Sequence, residues 1–197
     1  IMKSQLKSIL KKIPINFTKN QQYDAQTKRI FKKYLQSDSV FIDIGCHKGE
    51  VLDWAIKCSP NSNHIGFEAI PKLAKALQSK YTSHTIYNLA LSDSKGKTSF
   101  NYVTSNPAYS GIKKREYVKK EEIEIIEVEM DCLDDVLSTN QKVSLIKIDV
   151  EGGELGVLNG ANKTILREKP IIVFEHGLGA SEFYDNSPEK MWELLVV

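Results

Sequence analysis

The sequence has no apolar run that approaches the ~20 residues needed by a membrane-spanning helix. Its first residues also lack a signal-peptide core followed by a small-residue cleavage site. The formal net charge is only +2 over 197 residues, so charge neither favours nor excludes an acidic partner. No internal repeat or low-complexity segment is present. These absences predict a cytoplasmic protein without a membrane partner.

The sequence is also poor in cysteine. It has three, Cys46, Cys58 and Cys132, an odd number at unrelated spacings. No pair has the Cys-x-x-Cys spacing of zinc or redox sites. We therefore expect reduced and mostly structural thiols, and we predict no metal site from the cysteines.

A dinucleotide fingerprint, Gly-x-Gly-x-x-Gly, is missing where a predicted strand meets a helix. The apolar run 40–44, broken only by Asp43, leads through Gly45 and Gly49 into a helix-compatible stretch. His47 occupies the place of the middle glycine, so close approach of a pyrophosphate is disfavoured. An acid beside open backbone amides is better suited to a positively charged ligand, such as the amino group and sulfonium of S-adenosylmethionine. The predicted cofactor residues of this stretch are Asp43, Gly45, Cys46, His47 and Gly49.

Hydrophobic residues make up 41% and charged residues 26% of the chain, which is ordinary for a globular protein. The length fits a single domain, 1–197, with an N-terminal helical segment, 1–38, and a Rossmann-like core, 39–197. Predicted strands and helices alternate in the core, which implies an α/β fold with a doubly wound, mainly parallel sheet and helices on both faces. The predicted strands are 40–44, 64–68, 85–91, 143–149 and 170–175. The predicted helices are 23–36, 50–58, 71–80, 133–137, 154–167 and one that begins at Ser187-Pro188.

Two further predicted strands, 98–103 and 123–130, interrupt the alternation. A polar connecting segment, residues 104–122, joins them, and we interpret the whole as an inserted β-hairpin or an edge extension. Asn106-Pro-Ala-Tyr109 resembles the Asn-Pro-Pro-Tyr motif of amino-methylating nucleic-acid enzymes, but that motif belongs after the fourth strand. No interleaving of basic and aromatic residues supports base binding either. We therefore interpret these residues as a turn and expect no nucleic-acid partner.

Glu68 ends the second predicted strand, about 20 residues past the glycine turn, where a carboxylate can accept hydrogen bonds from ribose hydroxyls. Parallel strands bring Glu68 and Asp43 to neighbouring strand ends, although either acid alone suits a turn cap or a surface position. The end of the third strand, 88–92, is expected to flank an adenine through small and apolar side chains and backbone bonds. Those residues also suit any buried strand that leads to a turn. The predicted cofactor residues here are Glu68, Asn88, Ala90 and Leu91.

Acids also follow the fourth core strand, where Asp149 and Glu151 come as an apolar run ends. In a doubly wound sheet this strand lies on the other side of the first, so both acids face the crevice at the switch point. Glu175 and His176 end the fifth strand beside them. We predict that these four catalytic candidates orient a substrate hydroxyl and take its proton. The less favoured alternative is a divalent metal held by Asp149, Glu175 and His176, and a structural or solvated role stays open for His176 and Glu154.

Several strings occur together in one order. They are Val40-Phe-Ile-Asp-Ile-Gly-Cys-His-Lys-Gly49, Gly66-Phe-Glu-Ala-Ile-Pro71, Asn88-Leu-Ala-Leu-Ser-Asp93, Leu133-Asp-Asp-Val-Leu137, Leu145-Ile-Lys-Ile-Asp-Val-Glu-Gly-Gly-Glu154, Val157-Leu-Asn-Gly-Ala161 and the stretch 170–175. With them the chain resembles the FkbM family of methyltransferases over about residues 23 to 195, and Asp-Val-Glu-Gly is the most specific part.

The resemblance implies a class I S-adenosylmethionine-dependent methyltransferase fold and O-methylation of a hydroxyl, often on a sugar or a secondary metabolite. By position, it implies a cofactor role for Asp43, Gly45, Gly49 and Glu68. It implies a location on the substrate side for Asp149, Glu151 and Glu175.

Two departures from the family pattern accompany this resemblance. His47 stands where the family usually has asparagine, and the chain ends near residues 192–195, before the final antiparallel strand pair expected of this fold. Either that part is absent from this chain or another chain completes the sheet, and an open edge favours an oligomer. A non-catalytic S-adenosylmethionine-binding module, or a subunit of a larger assembly, is therefore the alternative function. The residues that select the acceptor, a small molecule or a glycan, are expected in the connecting segment and in the C-terminal part.

Overall fold

The computed structural model describes residues 19–115, 117, 119–174 and 188–195. The chain divides into two compact units, residues 1–34 and 35–197. The described part of the first unit is one helix, α1 (Lys19–Tyr34), where the sequence predicts a helix over 23–36. The elements that follow all lie in the second unit. Among the described residues, no helix is both long enough and apolar enough to cross a membrane.

Strands and helices alternate along the described part of the second unit. The strands are β1 (Phe41–Ile44), β2 (Ile65–Phe67), β3 (Thr85–Tyr87), β4 (Ala90–Leu91), β5 (Gly96–Val103), β6 (Ile123–Asp131), β7 (Leu145–Ile148) and β8 (Ile171–Phe174). The helices are α2 (Glu50–Cys58), α3 (Pro71–Lys80), α4 (Leu133–Val136), α5 (Glu154–Gly160), α6 (Asn162–Glu168) and α7 (Pro188–Leu195), and a 3₁₀ turn spans Pro107–Tyr109.

The main sheet is parallel throughout, with the strand order β3–β2–β1–β7–β8. The chain builds outward from the central strand β1 and then returns to its other side at β7, which is the doubly wound arrangement that the alternation predicts. With right-handed crossovers, this order requires helices on both faces of the sheet. The fold prediction is therefore confirmed, and the switch point lies between β1 and β7.

The core is centred on the two middle strands. Ile42 and Ile44 of β1 and Ile146 and Ile148 of β7 are buried in one apolar cluster, to which Met191 of α7 also belongs. Strands covered on both faces are apolar at nearly every position. The two charged residues within these strands, Asp43 and Lys147, are therefore exceptional and lie side by side in register.

The predicted third strand, 85–91, is wrong in one respect, because it is two strands. β3 ends at Tyr87, and β4 leaves the main sheet to pair with β6. Between them, Nδ2 of Asn88 donates to the backbone oxygens of Glu68 (2.9 Å) and Ala69 (3.0 Å). This side chain donates to carbonyls beside the point where the strand pairing ends, so the chain can leave the main sheet here without losing hydrogen bonds.

The insertion forms its own three-stranded sheet in the order β4–β6–β5. β5 and β6 pair antiparallel from Gly96–Met130 to Val103–Ile123, as an inserted hairpin predicts. Because this sheet is separate from the main one, the alternative of an edge extension is wrong.

The predicted helix 154–167 is also two elements, α5 and α6. Ala161, at their junction, has φ −111° and ψ 4°, outside helical geometry. The side chain of Asp134 accepts hydrogen bonds from the backbone N–H groups of Lys163 and Thr164, both at 2.8 Å. These bonds cap the start of α6 from a distant part of the chain, so a new helix begins where local sequence alone indicates continuation.

His64 gives the fold a pH dependence that we expect to be measurable. Its ring is fully buried, Nδ1 accepts from the N–H of Phe41 (3.2 Å), and Nε2 lies 2.8 Å from the carbonyl oxygen of Ser59. This arrangement requires a neutral ring, and burial lowers the pKa of His64 from 6.5 to about 4. As pH falls from 6.5 towards 4, His64 is protonated in the unfolded state but stays neutral in the folded state. The free energy of unfolding therefore falls by on the order of 2 kcal/mol.

The measurement is urea unfolding at neutral and mildly acidic pH, followed by tryptophan fluorescence, for the wild type and for His64→Gln. We expect the wild type to lose more stability on acidification than the variant. Equal losses would show that His64 is not the group that titrates.

Candidate functional site

A cavity of about 220 Å³ lies at the carboxyl ends of the central strands, which is where open α/β sheets bind ligands. The loops after β1, β2 and β7 form one part of its wall. β4, β5 and the connecting segment form the other. The predicted site residues that line the cavity are Gly45, Cys46, His47, Glu68, Ala90, Leu91, Asp149 and Glu151.

The turn after β1 is held against β2 by backbone hydrogen bonds. The N–H groups of Gly45 and Cys46 both donate to the carbonyl oxygen of Phe67, at 3.0 and 3.1 Å. Gly45 has φ +82°, and a Cβ there would lie 1.9 Å from the backbone oxygen of Asp149. Glycine is therefore required at this position both for the backbone conformation and for the approach of the loop after β7.

Gly49 has a structural place in the same turn. It begins α2 with φ +76°, and its carbonyl oxygen accepts a hydrogen bond from the hydroxyl of Tyr81 at 2.7 Å. A Cβ on Gly49 would lie 2.4 Å from that hydroxyl oxygen. Its contacts fix the turn to the end of α3, whereas the cavity wall is made by the residues on either side of it.

Glu68 lines the cavity and is only 5% exposed. Its Oε2 accepts from the N–H of His47 (2.7 Å) and its Oε1 from the N–H of Ile70 (2.9 Å). Burial raises the pKa of Glu68 to about 7, against the effect of these two N–H donors. Each carboxylate oxygen keeps a further lone pair, so the side chain is oriented by the backbone and can still accept from hydroxyl groups.

Asp43 is fully buried, and neither of its carboxylate oxygens has a hydrogen-bond partner within the described residues. Its nearest cation is Lys147, whose Nζ lies 3.6 Å from Oδ1, an ion-pair distance too long for a direct hydrogen bond. Burial raises the pKa of Asp43 to about 6, although Lys147 acts to lower it. The cavity lining includes Lys147 and not Asp43, so Asp43 acts on the cavity through its neighbours.

Lys147 joins the acids of the two central strands. Its Nζ lies 3.1 Å from Oδ2 of Asp149 and 3.3 Å from the carbonyl oxygen of Gly45. Burial lowers the pKa of Lys147, but Asp43 and Asp149 outweigh burial and raise it above its usual value. The lysine is therefore a fixed positive charge at the switch point.

The loop after β7 directs two acids to the cavity. Asp149 is one-third exposed, and Glu151 has the left-handed φ of +56° and pairs with Arg115. Oε1 of buried Glu154 accepts from the N–H groups of Val150 (3.2 Å) and Gly152 (3.1 Å). Glu154 is thus a structural cap that shapes this loop.

The end of the third predicted strand divides by role. Ala90 and Leu91 line the cavity with Ile70 and Phe100, an apolar wall suited to a flat ring. Asn88 instead holds the backbone oxygens of Glu68 and Ala69. Its contribution to the site is to fix the chain that carries Glu68.

The sequence analysis missed Lys147 and the inserted sheet as contributors to the cavity. Lys147 carried a signal, because it is a charge within the apolar run 145–148 and stands opposite Asp43 in the neighbouring strand. The inserted sheet carried none, because its position depends on long-range pairing, and it contributes Phe100 to the lining. The connecting segment, where the sequence predicts acceptor-selecting residues, contributes Pro107, Ala108, Ser110 and Ile112.

Two catalytic candidates, Glu175 and His176, lie outside the described residues, and so does most of the metal alternative built on them. Within the part of the chain that is described, the only grouping with the geometry of three metal ligands is Asp131, Cys132 and Asp135. None of these three lines the cavity. The predictions for Glu175 and His176 remain predictions.

The Methyltransferase FkbM domain family matches residues 43–196. The chain belongs to the FkbM methyltransferase family. No curated protein sequence matches it significantly.

Two solved structures are similar to this chain. The precorrin-6y C5,15-methyltransferase of Geobacter metallireducens GS-15 is 17% identical, with 91% of this chain and 74% of that chain covered and a TM-score of 0.49. A proposed rRNA-methylase from Clostridium thermocellum is 13% identical, with 87% and 77% covered and a TM-score of 0.50. At such identity, the second likeness supports the doubly wound α/β fold and nothing finer.

Membership of the FkbM family implies S-adenosylmethionine as the methyl donor, which supplies a methyl group on a positively charged sulfur. The cavity fits this molecule in three respects. Glu68 can accept from ribose hydroxyls, the apolar wall of Ile70, Ala90 and Phe100 suits an adenine, and the buried carboxylate of Asp43 adds negative charge behind the turn. Asp149 reaches the cavity surface and Asp43 does not, so the cation-binding role predicted for Asp43 stays a prediction.

Proposed function

We propose that the protein is an S-adenosylmethionine-dependent O-methyltransferase that acts on a hydroxyl group of a small molecule or a glycan. The observation that carries this proposal is Asp149, a partly exposed carboxylate that lines the same cavity as Glu68, the predicted ribose-binding residue. A carboxylate in that position can accept a hydrogen bond from a hydroxyl and take its proton as the oxygen gains the methyl group.

The neighbours of Asp149 support this role. Lys147 also lines the cavity, and its Nζ lies 3.1 Å from Oδ2 of Asp149, a contact that orients the carboxylate. Both acids of the loop pair with a cation, Glu151 with Arg115 and Asp149 with Lys147. Asp149 is the more exposed of the two, 33% against 24%, and is therefore the stronger candidate for the base. Pro107, Ala108 and Ile112 on the other part of the wall give the cavity apolar surface, which offers water no hydrogen-bonding partner in competition with the acceptor.

Glu68→Gln tests the cofactor site. We expect the affinity for S-adenosylhomocysteine, measured by calorimetry, to fall about tenfold or more. The reason is that a Gln side chain has one accepting oxygen, whereas the carboxylate has two. Wild-type affinity should also fall as pH decreases through about 7, where Glu68 becomes protonated, and Glu68→Gln should lack that part of the pH dependence. Glu124→Gln, on the inserted sheet outside the cavity lining, is the control. No binding by the wild type would contradict the cofactor assignment.

Transfer of a labelled methyl group tests the reaction. The wild type is incubated with labelled S-adenosylmethionine and panels of hydroxylated small molecules, glycans, amines and nucleic acids. Label that appears in a base-stable ether supports the proposal, whereas transfer only to nitrogen or to nucleic acid contradicts it. Cofactor binding without turnover on any panel member would favour the non-catalytic module.

A further inference from the structure

The connecting segment is part of the cavity wall as well as a link between β5 and β6. Pro107, Ala108, Ser110 and Ile112 all line the cavity. Residues 110–112 are bonded to β5. The N–H of Val103 donates to Oγ of Ser110 at 2.9 Å, the backbones of Asn101 and Gly111 exchange hydrogen bonds of 2.9 and 3.2 Å, and Nδ2 of Asn101 donates to the carbonyl oxygen of Ile112 at 3.0 Å. These bonds hold this part of the segment to β5 but do not reach the loop after β7.

Arg115 supplies that second attachment. Its guanidinium forms an ion pair with Oε2 of Glu151 in the loop after β7. The two side chains are only 19% and 24% exposed, so the pair is better protected from solvent than a surface ion pair. The guanidinium carbon also lies 5.0 Å from the ring centroid of Tyr109, whose ring stacks on Tyr117. Arg115 thus joins the connecting segment to the switch point.

The backbone of the partner loop is shaped for this contact. Glu151 has φ +56°, a conformation that non-glycine residues rarely adopt, and buried Glu154 pins the amides on both sides of it. On Arg115, Nε is buried and has no hydrogen-bond partner within the described residues. A left-handed residue and an unsatisfied donor each cost on the order of 1 kcal/mol or more, so maximal stability alone does not account for the arrangement.

We propose that Arg115 is a specificity-determining residue on the acceptor side, because its ion pair with Glu151 holds the apolar wall at residues 107–112 against the cavity. This inference rests on the proposed function. Glu151 then acts as a positioning residue through Arg115. The wall selects an acceptor whose non-reacting part is apolar or presents an apolar ring face, since Pro107, Ala108 and Ile112 offer no charged group.

Hydrogen exchange of the peptide that contains residues 107–112, whose exchanging amides are those of residues 108–112, tests the attachment when followed by mass spectrometry. We expect about three- to tenfold faster exchange in Arg115→Met and in Glu151→Gln, because the local opening loses an ion pair of that strength. Arg115→Lys, which keeps the charge, should exchange at an intermediate rate. The matched control is Lys97→Met, which breaks an exposed ion pair with Glu127 on the same inserted sheet and should leave the exchange of 107–112 unchanged.

Kinetics then test specificity. For an acceptor found with the labelled-methyl assay, Arg115→Met should raise KM about tenfold while the affinity for S-adenosylhomocysteine stays within about threefold. Unchanged exchange at 107–112 in both variants overturns the proposal, and so does an unchanged acceptor KM or a loss of cofactor affinity as large as the change in KM. If the wild type methylates no hydroxyl, the proposed function fails, but the exchange rates and cofactor affinities still decide whether the attachment exists.

Discussion

Replacing Lys147 with methionine should lower the free energy of unfolding by about 3–5 kcal/mol, the usual cost of removing one partner from a buried ion pair. The reason is Asp43, which is fully buried and has Lys147 as its nearest cation, 3.6 Å away. Methionine fills a similar volume, so the loss is electrostatic more than steric. Urea unfolding followed by tryptophan fluorescence measures the effect.

A double variant and a pH series separate the charge from other effects of that substitution. Asn at position 43 removes the unpaired carboxylate, so Asp43→Asn combined with Lys147→Met should be more stable than Lys147→Met alone. The pKa of Asp43 is already raised to about 6 by burial in the wild type, and loss of the lysine raises it further. Because the folded variant then binds the proton more tightly than the unfolded chain, its deficit relative to the wild type should shrink from about pH 8 to about pH 5. A deficit that is constant with pH would contradict this account.

Replacing Gly45 with alanine is expected to destabilise the protein by about 3 kcal/mol or more and to abolish measurable cofactor binding. The added Cβ would lie 1.9 Å from the backbone oxygen of Asp149. A backbone atom at the end of a central strand cannot turn away as a side chain would. The turn after β1 and the loop after β7 must separate, and the cavity wall they share opens with them.

Gly96→Ala is the matched control for that substitution. Gly96 also has a positive φ, +142°, but a Cβ there meets nothing within 4 Å. Its replacement therefore reports the cost of backbone strain without a clash, about 1–3 kcal/mol, and should leave the affinity for S-adenosylhomocysteine unchanged. Unfolding and calorimetry on both variants give the comparison. If Gly45→Ala behaves like Gly96→Ala, the contact with Asp149 has no consequence for the site.

Much of the fold could be predicted because local patterns and global topology agree. The apolar run around Asp43 and the one around Lys147 are strands, and the alternation with helices places them side by side in a parallel sheet. The break at Asn88 could not be predicted, because it depends on two carbonyls of a neighbouring strand end. The start of α6 depends likewise on Asp134, 29 residues away along the chain from Lys163.

The candidate site could be predicted where a carboxylate directly follows an apolar strand, because such a residue lies at the ligand-binding edge of a parallel sheet. Glu68, Asp149 and Glu151 line the cavity as expected. The local sequence does not show which of these acids reach the cavity surface and which cation each of them pairs with. Asp43 is withdrawn behind Lys147, and Glu151 is engaged by Arg115, a residue 36 positions away on the inserted segment. Those relations arise only when distant strands pair.

The contact between Gly45 and the β7 end has a further consequence for how the protein forms. The residues it joins are about a hundred positions apart, as are Gly45 and Lys147, separated by 102. Closing so long a loop costs chain entropy and slows folding. During synthesis, Asp43 and Glu68 emerge long before β7 can insert beside β1. A nascent chain therefore carries these two predicted cofactor residues without a cavity, and the cavity is completed only when β7 has been synthesised and pairs with β1.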